Sequence, residues 1–153
     1  MELRKFKLGD EKSISKLHEE TIRTINSKDY SNEQIETWPG ILDNYSNLLK
    51  TLQNNISYVV ELDNIIVGFG DMGHSGEIFR LYTHKDYQGK GIASKILEKL
   101  EKEAKNLNLN KITLESSLTA KSFYESKGYK IIKKVHSKIN DVKHEEWKME
   151  KIL

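Results

Sequence analysis

The sequence predicts a mixed α/β fold of the α+β kind, a twisted and mainly antiparallel sheet flanked by helices. Three observations carry that expectation. Apolar, β-branched runs meet across short turns, first "SYVVEL" and "IIVGFGDM" around Asp63-Asn64, then "YKIIKKVHSKI" and "VKHEEWKMEKIL" around Asn140-Asp141, which is the pattern of β-hairpins. A long stretch from "GKGIASKILEKLEKEA" repeats apolar residues at helical spacing. Strand patterns on either side of it, "GEIFRLYTH" and "KITLE", make a strand–helix–strand unit over 76–115. Two such strands in one sheet run parallel, with a right-handed crossover between them.

In chain order, "ELRKFKL" alternates as a strand, with Leu3 apart from Phe6 and Leu8. Asp10 is placed to cap a helix whose apolar face is Ile14, Leu17, Thr21, Ile22 and Ile25, since a short polar side chain at a helix start accepts from its unpaired N–H groups. Ser31 and Gln34 have capping-box spacing, with Tyr30 and Ile35 as the hydrophobic staple. The sole proline, Pro39, follows Trp38 and ends that helix. A further short helix carries Tyr45, Leu48, Leu49 and Leu52 on one stripe, and the first hairpin and a third strand follow it. The long helix then buries Ile92, Ile96, Leu97, Leu100, Ala104 and Leu107, and Glu98–Lys102 and Glu101–Lys105 stand as i,i+4 pairs in the favourable orientation. "LTAKSFYESKG" reads as a short helix capped by Thr119, stapled by Leu118 and Phe123, and closed by Gly128.

At 153 residues, 37% hydrophobic and 31% charged, the chain is expected to form one soluble domain spanning 1–153. It has no apolar run of membrane-spanning length and its N-terminus lacks a signal peptide's apolar stretch, so the expected location is the cytoplasm and no membrane partner is expected. There is no cysteine, which excludes disulfides, thiolate metal sites and a cysteine nucleophile. The histidines, His18, His74, His84, His136 and His144, lack metal-ligand spacing and are expected at exposed or strand positions, with no metal bound. The first 76 residues hold 8 basic against 12 acidic side chains and the remainder 17 against 11. That asymmetry suits an anionic ligand in the second half and a cationic one in the first. Lysine and glutamate alternate along the long helix instead of forming a basic face with aromatics, which argues against a nucleic-acid partner.

The stretch "HKDYQGKGIASKILEKLEKEA", His84 to Ala104, places two glycines where the long helix begins. A helix start offers free N–H groups to an anion, and glycine lets a phosphate approach them. A P-loop is excluded because Gly91 stands where Ser or Thr must follow Lys90, and a Rossmann turn fails because "GKGIAS" has Ser94 at its third glycine position. The pattern Gln/Arg-x-x-Gly-x-Gly/Ala fits "QGKGIA" at Gln88, Gly91 and Ala93.

On those residues, "LYTHKDYQGKGIASKILEKLEKEA" resembles the coenzyme A-binding segment of the GNAT superfamily of N-acetyltransferases. "SSLTAKSFYESKGY" is similar to that superfamily's next segment, a short helix with a Phe-Tyr pair before Gly-aromatic. The strand order also resembles the superfamily's, and "DYSNEQIETW" and "WKMEK" are similar to its YafP-like group. The resemblance implies acetyl-CoA as cosubstrate, a small amine or peptide acceptor, and a monomer or homodimer. It implies that Gln88, Gly89, Lys90, Gly91, Ile92, Ala93 and Ser94 wrap the pyrophosphate, with Lys90 and Lys85 adding screened attraction. It implies that the central parallel strands splay, so that Leu81, Tyr82 and Thr83 offer main-chain groups to the pantetheine arm, one N–H polarising the thioester.

The resemblance further makes Tyr124 the general acid that protonates the leaving thiolate, with Phe123 as core. Many superfamily members have Asn before the alanine of the short helix, touching pantetheine, and here that residue is Thr119, whose hydroxyl lacks an amide's paired donor and acceptor. For the base, Glu77 and Glu115 lie on neighbouring expected strands near the gap, Glu77 being the first choice, and reaction of amine already deprotonated in solution stays open beside them. The acceptor is expected to meet residues 20–55, with Tyr30, Trp38, Glu33 and Glu36 as candidates. A non-catalytic acyl-CoA sensor with the same fold is the alternative, and retention of Tyr124 favours the enzyme.

Overall fold

The computed structural model describes residues 1–39 and 45–153, with Tyr45 described by its backbone alone. Seven strands, β1 (Glu2–Lys5), β2 (Ile56–Leu62), β3 (Ile65–Met72), β4 (Glu77–Thr83), β5 (Lys111–Ser116), β6 (Lys130–Ile139) and β7 (Val142–Ile152), form one sheet in the order β1-β2-β3-β4-β5-β7-β6. Both two-residue turns are as the sequence predicts. Asp63 and Asn64 have φ of 50° and 63°, Asn140 and Asp141 of 49° and 63°, the left-handed pair that matches the twist of a hairpin. Asn and Asp tolerate that conformation better than other side-chain-bearing residues.

Alternation along the strands feeds two cores, one on each face. Val60 and Val67 point to one face with Ile92, Ile96, Leu97 and Leu100 of helix α4 (Ile92–Asn106). Val59, Ile66 and Phe69 point to the other, against Ile14 and Leu17 of α1 (Glu11–Thr24) and Leu48 and Leu52 of α3 (Tyr45–Asn54). Helix α4 is seated directly on β3. A Cβ built at Gly68 would overlap the Ile92 side chain, and one built at Gly70 would lie 2.8 Å from Ile96 Cγ2.

Every strand pair is antiparallel except β4 and β5, which run parallel and are in register only at Glu77↔Thr113 and Ile78↔Leu114. Beyond that point β4 stays on β3 as far as Thr83↔Gly68, and β5 stays on β7 as far as Ser116↔Trp147. The two central strands therefore diverge into a fork, the splay that the resemblance implies.

Several local expectations are met. Ser31 Oγ accepts from Gln34 N and Gln34 Oε1 from Ser31 N, completing the capping box of α2 (Asn32–Glu36). The short helix α5 (Lys121–Ser126) closes at Gly128, φ 92°, where Gly128 N donates to Glu125 O and Tyr129 N to Tyr124 O, a Schellman closure.

Others are corrected. Asp10 stands at the start of α1 without a side-chain cap, because its carboxylate is taken by Arg4 at 2.8 and 3.0 Å and by the Lys7 N–H. Thr119 does not cap α5; its hydroxyl donates to Asp29 Oδ2 at 2.8 Å, and Leu118 is exposed instead of stapled. Glu101 pairs across to Lys151 and Lys99 to Glu103, in place of the two i,i+4 pairs expected, and Leu107 is exposed at the helix end. His18 is buried on helix α1 instead of lying at an exposed or strand position. The Tyr45 side chain of the α3 stripe lies outside the described residues.

The glycine seats give a stability prediction. Gly68→Ala forces a methyl into Ile92 and should cost about 1–3 kcal/mol. Urea denaturation should show a lower midpoint with an unchanged m-value.

Candidate active site

The N-terminus of α4 is an open ring of donors. Gly91 precedes the helix at φ 78° and Gly89 sits at φ 72°, and a Cβ at either would meet nothing within 4 Å. Only glycine holds such angles without strain, and the space in front of both is free for a ligand. Among the described residues, no acceptor takes the N–H groups of Gly91, Ile92, Ala93 and Ser94; the first helical bond runs from Lys95 N to Gly91 O. Gln88 fixes the loop from the other side, its Nε2 donating to Thr83 O at 2.8 Å. Free N–H groups at the positive end of a helix dipole fit a diphosphate.

A cavity of about 810 Å³ runs from this ring along the fork. Leu81, Tyr82 and Thr83 of β4 line it, as do Gln88, Gly89 and Gly91 in the loop and Ile92, Ala93 and Ser94 at the helix start. Thr119, Tyr124, Glu77 and Glu115 are in its wall as well. Lys90 and Lys85 are not among the lining residues. The Lys90 ammonium lies 5.6 Å over the Tyr87 ring, and that of Lys85 3.4 Å from Asp86.

Two tyrosines stand in the fork with different engagements. Tyr82 stacks on Phe69, meets His18 edge-on at 4.6 Å, and its hydroxyl accepts from Trp38 Nε1 at 3.2 Å. Burial pushes its phenol up to about 12. Tyr124 is 6% exposed and lies edge-on to Phe123 and Tyr129. No group among the described residues hydrogen-bonds to its hydroxyl. Burial, and then the nearby Tyr82, push its phenol above the ordinary range, so the group stays protonated at neutral pH and holds a proton it can donate.

The far side of the cavity carries Tyr30, Trp38, His144 and Glu146. Tyr30 meets Trp38 edge-on at 4.8 Å, and its hydroxyl accepts from Leu118 N at 2.6 Å. His144 Nε2 and Thr37 Oγ1 are 2.8 Å apart, and burial lowers the imidazole's pKa. His18 is held neutral, pushed down to about 4 by burial and then by the Arg80 charge. Of the expected acceptor segment 20–55, Tyr30 and Trp38 face the cavity, whereas Glu36 is turned away onto Arg23. Residues 40–44 lie outside the described residues.

Glu146 is the feature that sequence reasoning did not reach. It is half-buried in the cavity wall, and burial followed by the like charge of Glu115 raises its pKa to about 7. Its strand reads "VKHEEWKMEKIL". Nothing local to that strand marks Glu146, and only the fold brings it, together with Glu145, into the cavity wall. Among the described residues no cluster of three or more His, Cys, Asp or Glu could hold a metal, and no helix is long and apolar enough to cross a membrane.

The fold, with its forked central strands, is that of an acetyl-CoA-dependent N-acyltransferase. The chain belongs to the GNAT acetyltransferase domain family, whose model matches residues 26–151. It is 27% identical over 134 residues to the uncharacterized N-acetyltransferase YafP of Escherichia coli strain K12, covering 87% of this chain and 83% of that one. A GCN5-related N-acetyltransferase (aminotransferase, class-II) from Rhodopseudomonas palustris superposes with a TM-score of 0.94 at 26% identity, over 99% of this chain and 95% of the other. The PaiA N-acetyltransferase of Thermoplasma acidophilum, crystallised with coenzyme A, shares the fold with a TM-score of 0.81 at 22% identity, over 99% and 98% of the two chains.

The donor ring can be tested by charge. Asp adopts the left-handed conformation more readily than most side-chain-bearing residues and suits the N-cap position, so Gly91→Asp should lower the melting temperature by only a few degrees. Its carboxylate would stand where the diphosphate is expected, and the Kd for coenzyme A by calorimetry should rise about tenfold or more, equivalent to at least ~1.4 kcal/mol.

Proposed function

We propose that this protein transfers the acetyl group of acetyl-CoA directly to a primary amine of a small molecule or peptide. The observation that carries the reading is the fork. One cavity joins the free N–H groups at the start of α4 to the phenol of Tyr124 and the carboxylates opposite. In this reading Gln88 to Ser94 hold the pyrophosphate, with Lys90 adding screened attraction from the rim, and the edge of β4 at Leu81, Tyr82 and Thr83 pairs with the pantetheine arm as another strand would, the Thr83 carbonyl being already taken by Gln88 and Thr21.

The residues then divide the chemistry. A main-chain N–H of β4 polarises the thioester carbonyl, and the fork walls hold the amine and carbonyl carbon in line, which removes much of the entropic barrier. The amine nitrogen attacks, the C–S bond breaks, and Tyr124 supplies the proton to sulfur. Tyr82 contributes its backbone, because its hydroxyl is already engaged with Trp38. A carboxylate of the wall accepts the ammonium proton, and the candidates are Glu77, Glu115 and Glu146. Thr119, in the cavity wall with its hydroxyl bonded to Asp29, positions the acceptor side instead of gripping pantetheine. The segment before residue 26, outside the family match, joins the same sheet through Leu3↔Val60 and Arg4↔Val59, which supports one domain over 1–153.

An amine-library screen that detects released thiol tests this reading. Wild type should turn over at least one primary amine. Tyr124→Phe should lower kcat by about 100-fold or more, in the range of a lost general acid, with the Kd for acetyl-CoA unchanged. Equal turnover in both would remove Tyr124 from the mechanism, and acetyl-CoA binding without turnover of any amine would identify a sensor.

A further inference from the structure

We infer that Glu146 takes the proton from the acceptor's ammonium group, and that the acceptor is an alkyl primary amine that arrives charged. The inference rests on the acetyl-transfer reading above and names the group and the amine class that the reading leaves open.

Glu146 stands at the mouth of the fork. Strand β7 runs past Ser116↔Trp147, its last pair with β5, so the residue that follows on the cavity side stands beside the open end of the fork. That residue is Glu146, which lines the cavity and lies opposite Val135 of β6. Glu77 stands at the other end, where β4 and β5 are still paired.

Glu146 also lacks partners among the described residues. Adjacent Glu145 is held by Lys134 at 2.8 Å and Lys143 at 3.4 Å, with His136 at 3.6 Å. Among the described residues no cation and no hydrogen-bond donor pairs with Glu146. A half-buried carboxylate without a partner is costly, and an ammonium in the cavity would be its natural counter-ion.

The surroundings of Glu146 are acidic and aromatic. From β5 Glu115 faces it as a like charge, and from β4 and the turn before α2 the phenols of Tyr82 and Tyr30 lie within electrostatic reach. On its own strand His144 and Glu145 line the same cavity. Arg80 of β4, which also lines it, is bound to Asp71 at 2.9 and 3.0 Å. With Trp38 beside Tyr30, the acceptor side is a wall of aromatic rings and acidic oxygens, which favours a cation. Burial and Glu115 place the Glu146 carboxyl near 7, where a group can both accept and release a proton at neutral pH.

The protons balance as follows. Glu146 carboxylate takes one proton from R–NH₃⁺. The free amine attacks the thioester carbon, forming the C–N bond, and the C–S bond breaks as Tyr124 gives its proton to sulfur. The second proton leaving nitrogen restores the Tyr124 phenol, and Glu146 releases its proton to solvent.

The test is the pH dependence of kcat/KM with n-butylamine, 1,4-diaminobutane and glycinamide as acceptors. In wild type the active pair is ammonium and ionised Glu146, so kcat/KM should rise about tenfold per pH unit below about 7 and then level off until the amine itself deprotonates. Glu146→Gln should be at least ~100-fold slower at pH 7 and lose the plateau, its rate climbing steadily toward the amine's pKa. Glu115→Gln, which removes the like charge and spares the carboxyl under test, should move the lower inflection to lower pH. Both variants should bind coenzyme A as wild type does. A wild-type plateau retained in Glu146→Gln overturns the assignment and leaves acetyl transfer standing. No turnover of any of the three amines by wild type that still binds acetyl-CoA overturns the transfer reading, and the role of Glu146 with it.

Discussion

The parting of β4 from β5 is the constraint on which everything else depends. A parallel pair is normally buried and continuous, since each unmade ladder bond leaves backbone polar groups without partners. Here the ladder stops after Ile78↔Leu114, while each strand remains bonded to its outer neighbour. The sheet is thus held open from both sides, by β3 on one flank and β7 on the other. The open backbone edges become affordable only because they face a cavity, where solvent or an extended ligand can satisfy them. The same divergence sends the loop after β4 outward, which lets the start of α4 point its free N–H groups along the gap.

The seat of α4 fixes that direction. Gly68 and Gly70 let Ile92 and Ile96 lie against the β3 backbone, so the first turn of the helix cannot tilt without opening the core. Ile92 lies in that core and in the cavity wall at once. A packing contact on one face of the sheet therefore sets the position of the free N–H groups at the start of α4, and rigid placement of donors is what makes such an end effective when charge develops nearby.

The elements with local signals were legible in the sequence. Asp63-Asn64 and Asn140-Asp141 marked both hairpins because left-handed pairs need those residue types, and Gly91 and Gly89 marked the donor ring for the same reason. Ser31 and Gln34 marked their helix because a capping box closes within four residues. What stayed hidden was decided by residues far apart in the chain. Asp10 has the chemistry of a cap, yet Arg4 competes for its carboxylate and wins with a bidentate pair. Glu98 and Glu101 had lysines at helical spacing, yet Lys151 reaches Glu101 from β7. Glu146 has no local signature at all. A glutamate on a strand reads as surface until the sheet order brings Glu115 and the fork beside it.

Thr119 shows how such a long-range contact changes the meaning of a motif position. Read along the chain, a threonine before Ala120 is a helix cap, and set against the superfamily pattern it is a weakened substitute for an amide. In the fold it is not a cap. Its hydroxyl donates to Asp29, while the next residue back, Leu118, donates its N–H to the Tyr30 hydroxyl. Two adjacent residues at the approach to α5 are thus bonded to two adjacent residues at the approach to α2. The first helix carries Tyr124, and the second stands beside Tyr30, Trp38 and the aromatic wall. An asparagine turned toward pantetheine would give up the bond to Asp29. The threonine therefore ties the approach to α5 to the approach to α2, and the separation between the Tyr124 phenol and the Tyr30–Trp38 wall is set by a pair of hydrogen bonds that belongs to this chain's own sequence.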